Sequence, residues 1–248
     1  MCCFSRPVIA VNGTNIFARS TGPLKQALVY TMLLRAREEM AMILPIPVRP
    51  HSGENAVRFI NLEEYAHFFE DMETVFLDSY GLKHAPSRSG SKSDGLLAVV
   101  DVGSFEASFV PTISDFERLD ERFRLPTGTW DQLPLYKRYG FTVFKLKPGA
   151  KIIHPMAFEF PRASPTRLFF PTVHIHDGKV HDTAVFDHAL YCQKMGEDSF
   201  SLSQWKESPE LSDTFMKVDK SAGLIAPKTH CYQMKITGRK KNTDTWVG

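Results

Sequence analysis

The chain has 248 residues, 43% hydrophobic and 12% aromatic, which is enough apolar material for one sizeable core or two small cores that share an interface. Thirty basic and 28 acidic residues leave a formal net charge of +2, which argues against a dedicated nucleic-acid binder with a concentrated basic face. The sequence has no apolar run of about 18 residues, so no membrane span is expected.

The first 50 residues have the composition of β-strands. The runs "RPVIAV" and "TNIFARS" flank Asn12-Gly13, a dipeptide that favours a two-residue type I′ turn between two strands. The runs "KQALVYTMLLRA" and "MAMILPIPV" extend this meander. Arg6 and Pro7 stand where a secretory signal would need its apolar stretch, so we expect a cytoplasmic protein with reduced cysteines.

A helix is predicted in "NLEEYAHFFEDMETVFLDSYG", because Asn61 and Glu64 have capping-box spacing and Gly81 ends an apolar stripe. The next segment, residues 83–95, is rich in serine and glycine. It is either a mobile loop or a boundary between two lobes.

Most later segments are strand-like, with short helices predicted in "SDFERLDERF", "TWDQLPLYKRYG" and "DHALYCQKM". Strands outnumber helices and follow one another through turns. We therefore expect an α+β fold with a largely antiparallel β-sheet core and a few peripheral helices. Residues 1–237 would form one domain, or two lobes meeting near residues 83–95. Residues 238–248 would form a polar C-terminal tail.

The stretch "HIHDGKVH" predicts a cluster of imidazoles. If Asp177-Gly178 forms a two-residue type I′ turn, His174 lies opposite His181. Directly opposed residues, and residues two apart on a strand, point to the same side of the sheet, so His176 joins that face. Three neutral histidines with open coordination positions suit zinc, copper or iron.

His188 and Cys192 are four residues apart and would share a face of the predicted helix, either completing the metal site or forming a second small cluster. The same histidine pattern also fits a solvent-facing hairpin whose imidazoles are ordinary polar side chains. A slip of one residue in register would place His181 on the opposite face.

The N-terminus offers a second reactive group. Removal of Met1 would leave Cys2 with a free α-amino group beside its thiol, and the amine could act as base for the thiolate. Alternatively, the amine and thiolate could chelate a soft metal, with Cys3 as a further sulfur ligand. Because adjacent strand residues point in opposite directions, the two cysteines would not serve one site equally.

Residues of about 2–160 resemble an uncharacterised bacterial family of unknown function. The similarity lies in "CCF", "GTNIFA", "AMILPIPV", "VGSFEASFV", "FRLP" and "YKRYGFTVFKLKPG". This resemblance implies a shared fold and carries no activity. The histidine stretch is not part of that family's pattern.

The first 20 residues resemble choloylglycine-type N-terminal nucleophile hydrolases, which begin Met-Cys and carry an arginine after the first hairpin. Cys2 and Arg19 match in order and spacing, which would imply Cys2 as the nucleophile and Arg19 near the substrate. Ser20 and Thr21 depart from the Asn and Asp that usually follow that arginine.

Together these patterns favour a metal-dependent enzyme acting on a small-molecule substrate. His174, His176 and His181 would hold copper, iron or zinc, Cys2 or Cys3 would ligate or react beside the metal, and redox chemistry is favoured over hydrolysis. The alternatives are an N-terminal-nucleophile amidohydrolase that uses Cys2, and a non-catalytic metal-binding or scaffold domain.

Overall fold

A computed structural model describes residues 2–77, 100–102, 105–146, 149–196 and 198–248. In this part of the chain fifteen strands form three sheets. The strands are β1 (Cys2–Phe4), β2 (Ala10–Gly22), β3 (Lys25–Ala36), β4 (Met40–Ile46), β5 (Arg58–Ile60), β6 (Val100–Val102), β7 (Phe105–Val110), β8 (Gly140–Leu146), β9 (Gly149–Pro161), β10 (Leu168–Phe170), β11 (His174–Ile175), β12 (Thr183–Gln193), β13 (Lys206–Leu211), β14 (His230–Lys241) and β15 (Thr245–Val247).

The α-helices in the described residues are short: α1 spans Phe68–Thr74 and α2 spans Ser212–Phe215. Short 3-10 helices cover Glu63–Tyr65, Ile113–Arg118, Glu121–Phe123, Trp130–Gln132, Pro134–Arg138 and Val218–Lys220. No helix in this part of the chain is long and apolar enough to cross a membrane.

The two large sheets have the strand orders β11-β1-β4-β8-β7-β6 and β13-β14-β12-β2-β3-β9-β5, and β10 pairs with β15 in a small third sheet. Most pairings are antiparallel, whereas β1 runs parallel to β11 and β12 runs parallel to β2. The N-terminal strand is therefore an interior strand of the six-stranded sheet, between β11 and β4.

The main core lies between the two large sheets. Strands β4 and β8 contribute their inward side chains from one sheet, and β2, β3, β9 and β12 contribute theirs from the other. Phe144 of β8 meets Phe158 of β9 with ring centroids 6.0 Å apart. Alternate residues of β12 point into this core, which is why Leu190 and Cys192 are buried on that side.

A second, smaller core covers part of the other face of the seven-stranded sheet. There, α1 and the segment around residues 212–226 pack on Phe17, Val29 and Tyr191. Phe68 of α1 makes an edge-to-face contact with Phe17, with ring centroids 5.6 Å apart. Among residues 2–77 and the later described segments, the helices cover only this part of the face.

The expected α+β class is wrong: 45% of the residues are in strands, 16% are helical, and within the described residues one helix reaches seven residues. The segment "DHALYCQKM" shows the reason. Its residues up to Gln193 belong to β12, because pairing with β14 and β2 lets alternate side chains enter two different cores. Tertiary pairing thus overrides a weak helical pattern.

Of three other predicted features, two differ from the structure and one lies outside the described residues. The predicted helix after Asn61 is divided into a 3-10 turn, Glu63–Tyr65, and α1. The predicted turn at Asn12-Gly13 is instead an irregularity within the continuous strand β2, with Gly13 at φ 58°. The boundary or loop expected at 83–95 lies outside the described residues.

Residues 238–248, expected to form a solvated tail, instead contribute to β14 and to β15, which pairs with β10. Asp244 between these strands accepts hydrogen bonds from the Tyr136 hydroxyl (2.6 Å) and the Thr172 amide (2.9 Å). These contacts anchor the C-terminal segment to the body of the protein.

Candidate functional site

The predicted histidine hairpin does not form. His174 and Ile175 make up β11, which pairs in parallel with Cys2 and Cys3 of β1, and the chain reaches β12 only at Thr183. Between them Asp177 accepts a hydrogen bond from the Lys179 amide (3.0 Å). Because the partner of β11 is the N-terminal strand, the register that would place His181 opposite His174 is absent.

His181 lies away from the other predicted ligands. Its side chain is exposed, and its Nε2 lies 2.9 Å from Oδ2 of Asp177 in the same loop. The structure therefore does not bring the set His174, His176 and His181 to one face, and it replaces His181 with His188.

His174, His176 and His188 form a stack of imidazoles. The ring of His174 lies between those of His176 (centroids 4.7 Å, planes 16° apart) and His188 (4.8 Å, 28°). The Nε2 atoms of His174 and His188 are 3.1 Å apart, so one imidazole donates to the other. Phe186 packs beside His174 at 4.5 Å, which makes the surroundings apolar.

Burial keeps these imidazoles neutral. Desolvation, followed by the neighbouring histidines, lowers the pKa of His174 to about 2, and desolvation lowers the pKa of His176 to about 4. Burial also lowers the pKa of His188, although the nearby Asp187 carboxylate opposes this shift. His188 Nδ1 is 3.7 Å from Asp187 Oδ1, which is too long for a hydrogen bond.

The stacked histidines, His174, His176 and His188, are a different set from the predicted metal ligands His174, His176 and His181. Across the described residues, no group of three or more histidine, cysteine, aspartate or glutamate side chains could hold a metal ion. The predicted set His174, His176 and His181 is therefore not assembled on one face, and metal binding by this chain stays a prediction.

The N-terminal cysteines lie beside this cluster through the backbone. Cys2 pairs with His174 and Cys3 with Ile175, and the side chain of Cys3 is fully buried in the main core. Burial also raises the pKa of the Cys192 thiol well above its usual value and that of Cys231 to about 12. The side chain of Cys2 lies outside the described residues.

Arg19, which the hydrolase resemblance would place near a substrate, has a structural role here. Its guanidinium is buried and donates hydrogen bonds to the backbone carbonyls of Leu224 (2.8 Å) and Gly223 (2.6 Å). These bonds fix the loop that covers the second core.

A surface that the sequence did not indicate lies beyond the reach of the helices on the seven-stranded sheet. We call it the open face. It consists of solvent-exposed side chains that all point away from the main core: Leu33, Arg35, Thr183, Val185, Asp187, Arg239 and Lys241.

Register places the members of the open face next to one another. Val185 pairs with Arg239, and Thr183 pairs with Lys241. Asp187 accepts a hydrogen bond from the Gly13 amide (2.6 Å), and Leu33 lies against Gly13 from the other side. The open face therefore runs across β14, β12, β2 and β3. The available sequence signal was an apolar residue, such as Leu33 or Val185, at an outward position of a strand. This signal indicates a surface only when the neighbouring strands are known.

Comparison with known proteins gives no match to any family model and none to a curated protein. Solved structures of baculovirus P35 are similar at low identity. One has 12% identity and a TM-score of 0.47, with 96% of each chain covered. A mutated P35 after caspase cleavage has 12% identity and a TM-score of 0.48, with 96% of this chain and 99% of that chain covered.

A caspase-8/P35 complex also matches, with 11% identity, a TM-score of 0.45 and 96% of each chain covered. None of these solved structures is described as a metal-dependent oxidoreductase or hydrolase, the class that the sequence favours.

Proposed function

We propose that this chain is a non-catalytic domain that binds another protein through the open face. The observation that carries the proposal is the exposure of Leu33 (46%) and Val185 (62%) on interior strands of a seven-stranded sheet. The neighbouring half of the same face is covered by helices and buries its apolar residues. An uncovered continuation of a packed face is a surface on which a partner could complete the packing.

The strands beneath the open face make it rigid and restrict how it can bind. β12 pairs with β14 along its whole length, whereas its pairing with β2 covers only residues 188–193, so the open-face residues Thr183, Val185 and Asp187 are held by pairing with β14. The groups that the open face presents to a partner are its exposed side chains, Leu33 and Val185 among them. Covering an exposed Leu or Val completely contributes up to about 1.5–3 kcal/mol each, and little is lost in ordering a surface that is already fixed.

The state of the other candidate residues supports binding rather than catalysis. The imidazole stack is buried and neutral, with His174 exposed by 9% and His188 by 2%. Arg19 is engaged by backbone carbonyls. The Arg19 guanidinium thus holds the backbone of the fold, and the Nε2 atoms of His174 and His188 bond to each other.

The proposal can be tested by site-specific crosslinking. A photo-crosslinking amino acid in place of Val185 should yield discrete protein adducts in an extract of cells that express the protein. Leu33→Ser in the same chain should remove these adducts. The matched control places the crosslinker at Leu135, which is equally exposed (62%) on the 3-10 helix Pro134–Arg138. Identical adduct patterns at the two positions would show that the open face is not a binding surface.

Purified caspase-8, the protein present in one of the similar solved complexes, supplies a defined binary probe. Titration of the chain with caspase-8 would measure binding. The intact mass of the chain afterwards would show whether it had been cut. Binding that weakens in the Leu33→Ser, Val185→Ser double variant would identify caspase-8 as a partner of this surface.

A further inference from the structure

We infer that the partner of the open face presents an extended acidic segment whose carboxylates meet Arg239 and Lys241 while its apolar side chains cover Val185 and Leu33. This inference rests on the proposed function and specifies the chemistry of the partner. Three observations support it: the charges on the open face, their spacing, and the apolar centre between them.

The open face is predominantly basic. Arg35, Arg239 and Lys241 face solvent, and in the described part of the chain none of them forms an ion pair. Asp187 is the one carboxylate of the open face, and it is engaged by the Gly13 amide. Lys235, at the boundary with the covered half, lies 3.9 Å from Glu73 of α1.

The spacing of the cations matches an extended chain. Arg239 and Lys241 are two residues apart on β14, so their side chains leave the same side of the sheet about 6.8 Å apart. Carboxylates two residues apart on an extended partner segment have the same separation. Exposed cations at matching positions favour an acidic partner and accelerate its association.

The centre of the open face selects a peptide over a nucleic acid. Val185 pairs directly with Arg239, and Leu33 lies two strands away across Gly13. A polyphosphate backbone gains nothing from covering these side chains, and Asp187 would repel it. An acidic segment with apolar residues would pair with Arg239 and Lys241 and would also cover Val185 and Leu33.

Fluorescence anisotropy with labelled peptides of about eight residues, which extend about 27 Å and so reach past both Arg239 and Lys241 along β14, tests this inference. The probes are alternating Glu/Val, Lys/Val and Glu/Ser peptides and a DNA strand of equal charge. The full chain should bind Glu/Val at least about tenfold more tightly than each of the others, with affinity falling between about 50 and 500 mM salt.

The matched variants separate charge from fold. The double variant Arg239→Glu, Lys241→Glu should weaken Glu/Val binding by about tenfold or more and invert the preference toward Lys/Val. The control variant, Lys137→Glu with Arg138→Glu, reverses two exposed charges on the 3-10 helix Pro134–Arg138 and should leave binding unchanged. Thermal midpoints of all variants are measured alongside to confirm folding.

Two results would overturn the inference: DNA binding as tight as Glu/Val, or an affinity for Glu/Val that the Arg239→Glu, Lys241→Glu variant retains. If either result is obtained while the crosslinks at position 185 still form and still depend on Leu33, the acidic partner is rejected. The proposed binding function then stands. Loss of the crosslinks at position 185 would reject the binding function itself.

Discussion

The two halves of the outer face of the seven-stranded sheet differ although the same strands build both. Under α1, the residues Phe17, Val29 and Tyr191 are completely buried. Farther along β3 and β12, Leu33 and Val185 are about half exposed or more. Because strand alternation assigns all five to one side of the sheet, it cannot distinguish them. What packs above each position decides its burial.

The largest expected effect lies in the covered half. Phe68→Ala should destabilise the protein by about 3–5 kcal/mol, because it removes a fully buried ring that contacts Phe17 and Tyr65 and leaves a cavity. Denaturant unfolding measures the change. A loss below about 1 kcal/mol would mean that α1 does not seal this half of the face.

A second test compares the two sides of β12, where exposed Asp187 is followed by buried His188. The histidine pKa values are lower in the folded chain than the ordinary value near 6.5, so the unfolded chain binds more protons below that pH. Stability should therefore be fully present above pH 6.5. It should fall as the pH drops toward the folded values, by up to about 1.4 kcal/mol per pH unit for each histidine.

Urea midpoints at pH 7 and pH 5.5 measure this effect. His176→Gln removes one imidazole of the stack. It should therefore reduce the pH dependence of the free energy of unfolding by the equivalent of about one proton. Equal midpoints for the unchanged protein at the two pH values would show that the stacked imidazoles titrate normally and are not held neutral.

Gly13 tests the backbone beneath the open face. Its φ of 58° is in the left-handed region, so Gly13→Ala should cost about 1–2 kcal/mol even though a Cβ would meet Leu33 only at ordinary contact distance, 3.6 Å. Gly22→Ala is the matched control on the same strand, with no atom within 4 Å of its Cβ. If the two substitutions lower the thermal midpoint equally, the left-handed conformation at Gly13 does not penalise a residue with a side chain.

The smallest effect on stability is expected at the open face itself. Leu33→Ser with Val185→Ser should change the free energy of unfolding by no more than about 0.5 kcal/mol per site, because both side chains are already in water. The same double variant should lose partner binding. Destabilisation by several kcal/mol would place these residues in a packed interior and remove the contrast between the two halves.

Much of the strand content could be predicted from local sequence. The run "KQALVYTMLLRA" coincides with β3, and the β-rich character of "MAMILPIPV" and "FTVFKLK" corresponds to β4 and β8. The segment "DHALYCQKM" is predicted as a helix, on which His188 and Cys192 would share a face, yet most of it belongs to β12. Only its pairing with β14 and β2 removes that ambiguity.

The candidate site was predictable in part. The sequence indicated that histidines gather near His174 and His176, and that the Cys2 end of the chain deserved comparison with them. The structure pairs Cys2 with His174 by backbone and adds His188 from β12, while His181 turns toward Asp177. A register set by the distant N-terminal strand is not encoded in the local turn residues Asp177-Gly178.

The sequence by itself therefore determined the alternation that gives each strand an inward and an outward side, since side-chain direction follows from backbone geometry alone. Only the tertiary structure decided which outward residues would be covered, which histidines would stack, and which cations would surround Leu33 and Val185. Those outcomes depend on contacts between residues far apart in the chain, such as Phe68 with Phe17 and Asp187 with Gly13, and no local pattern specifies them.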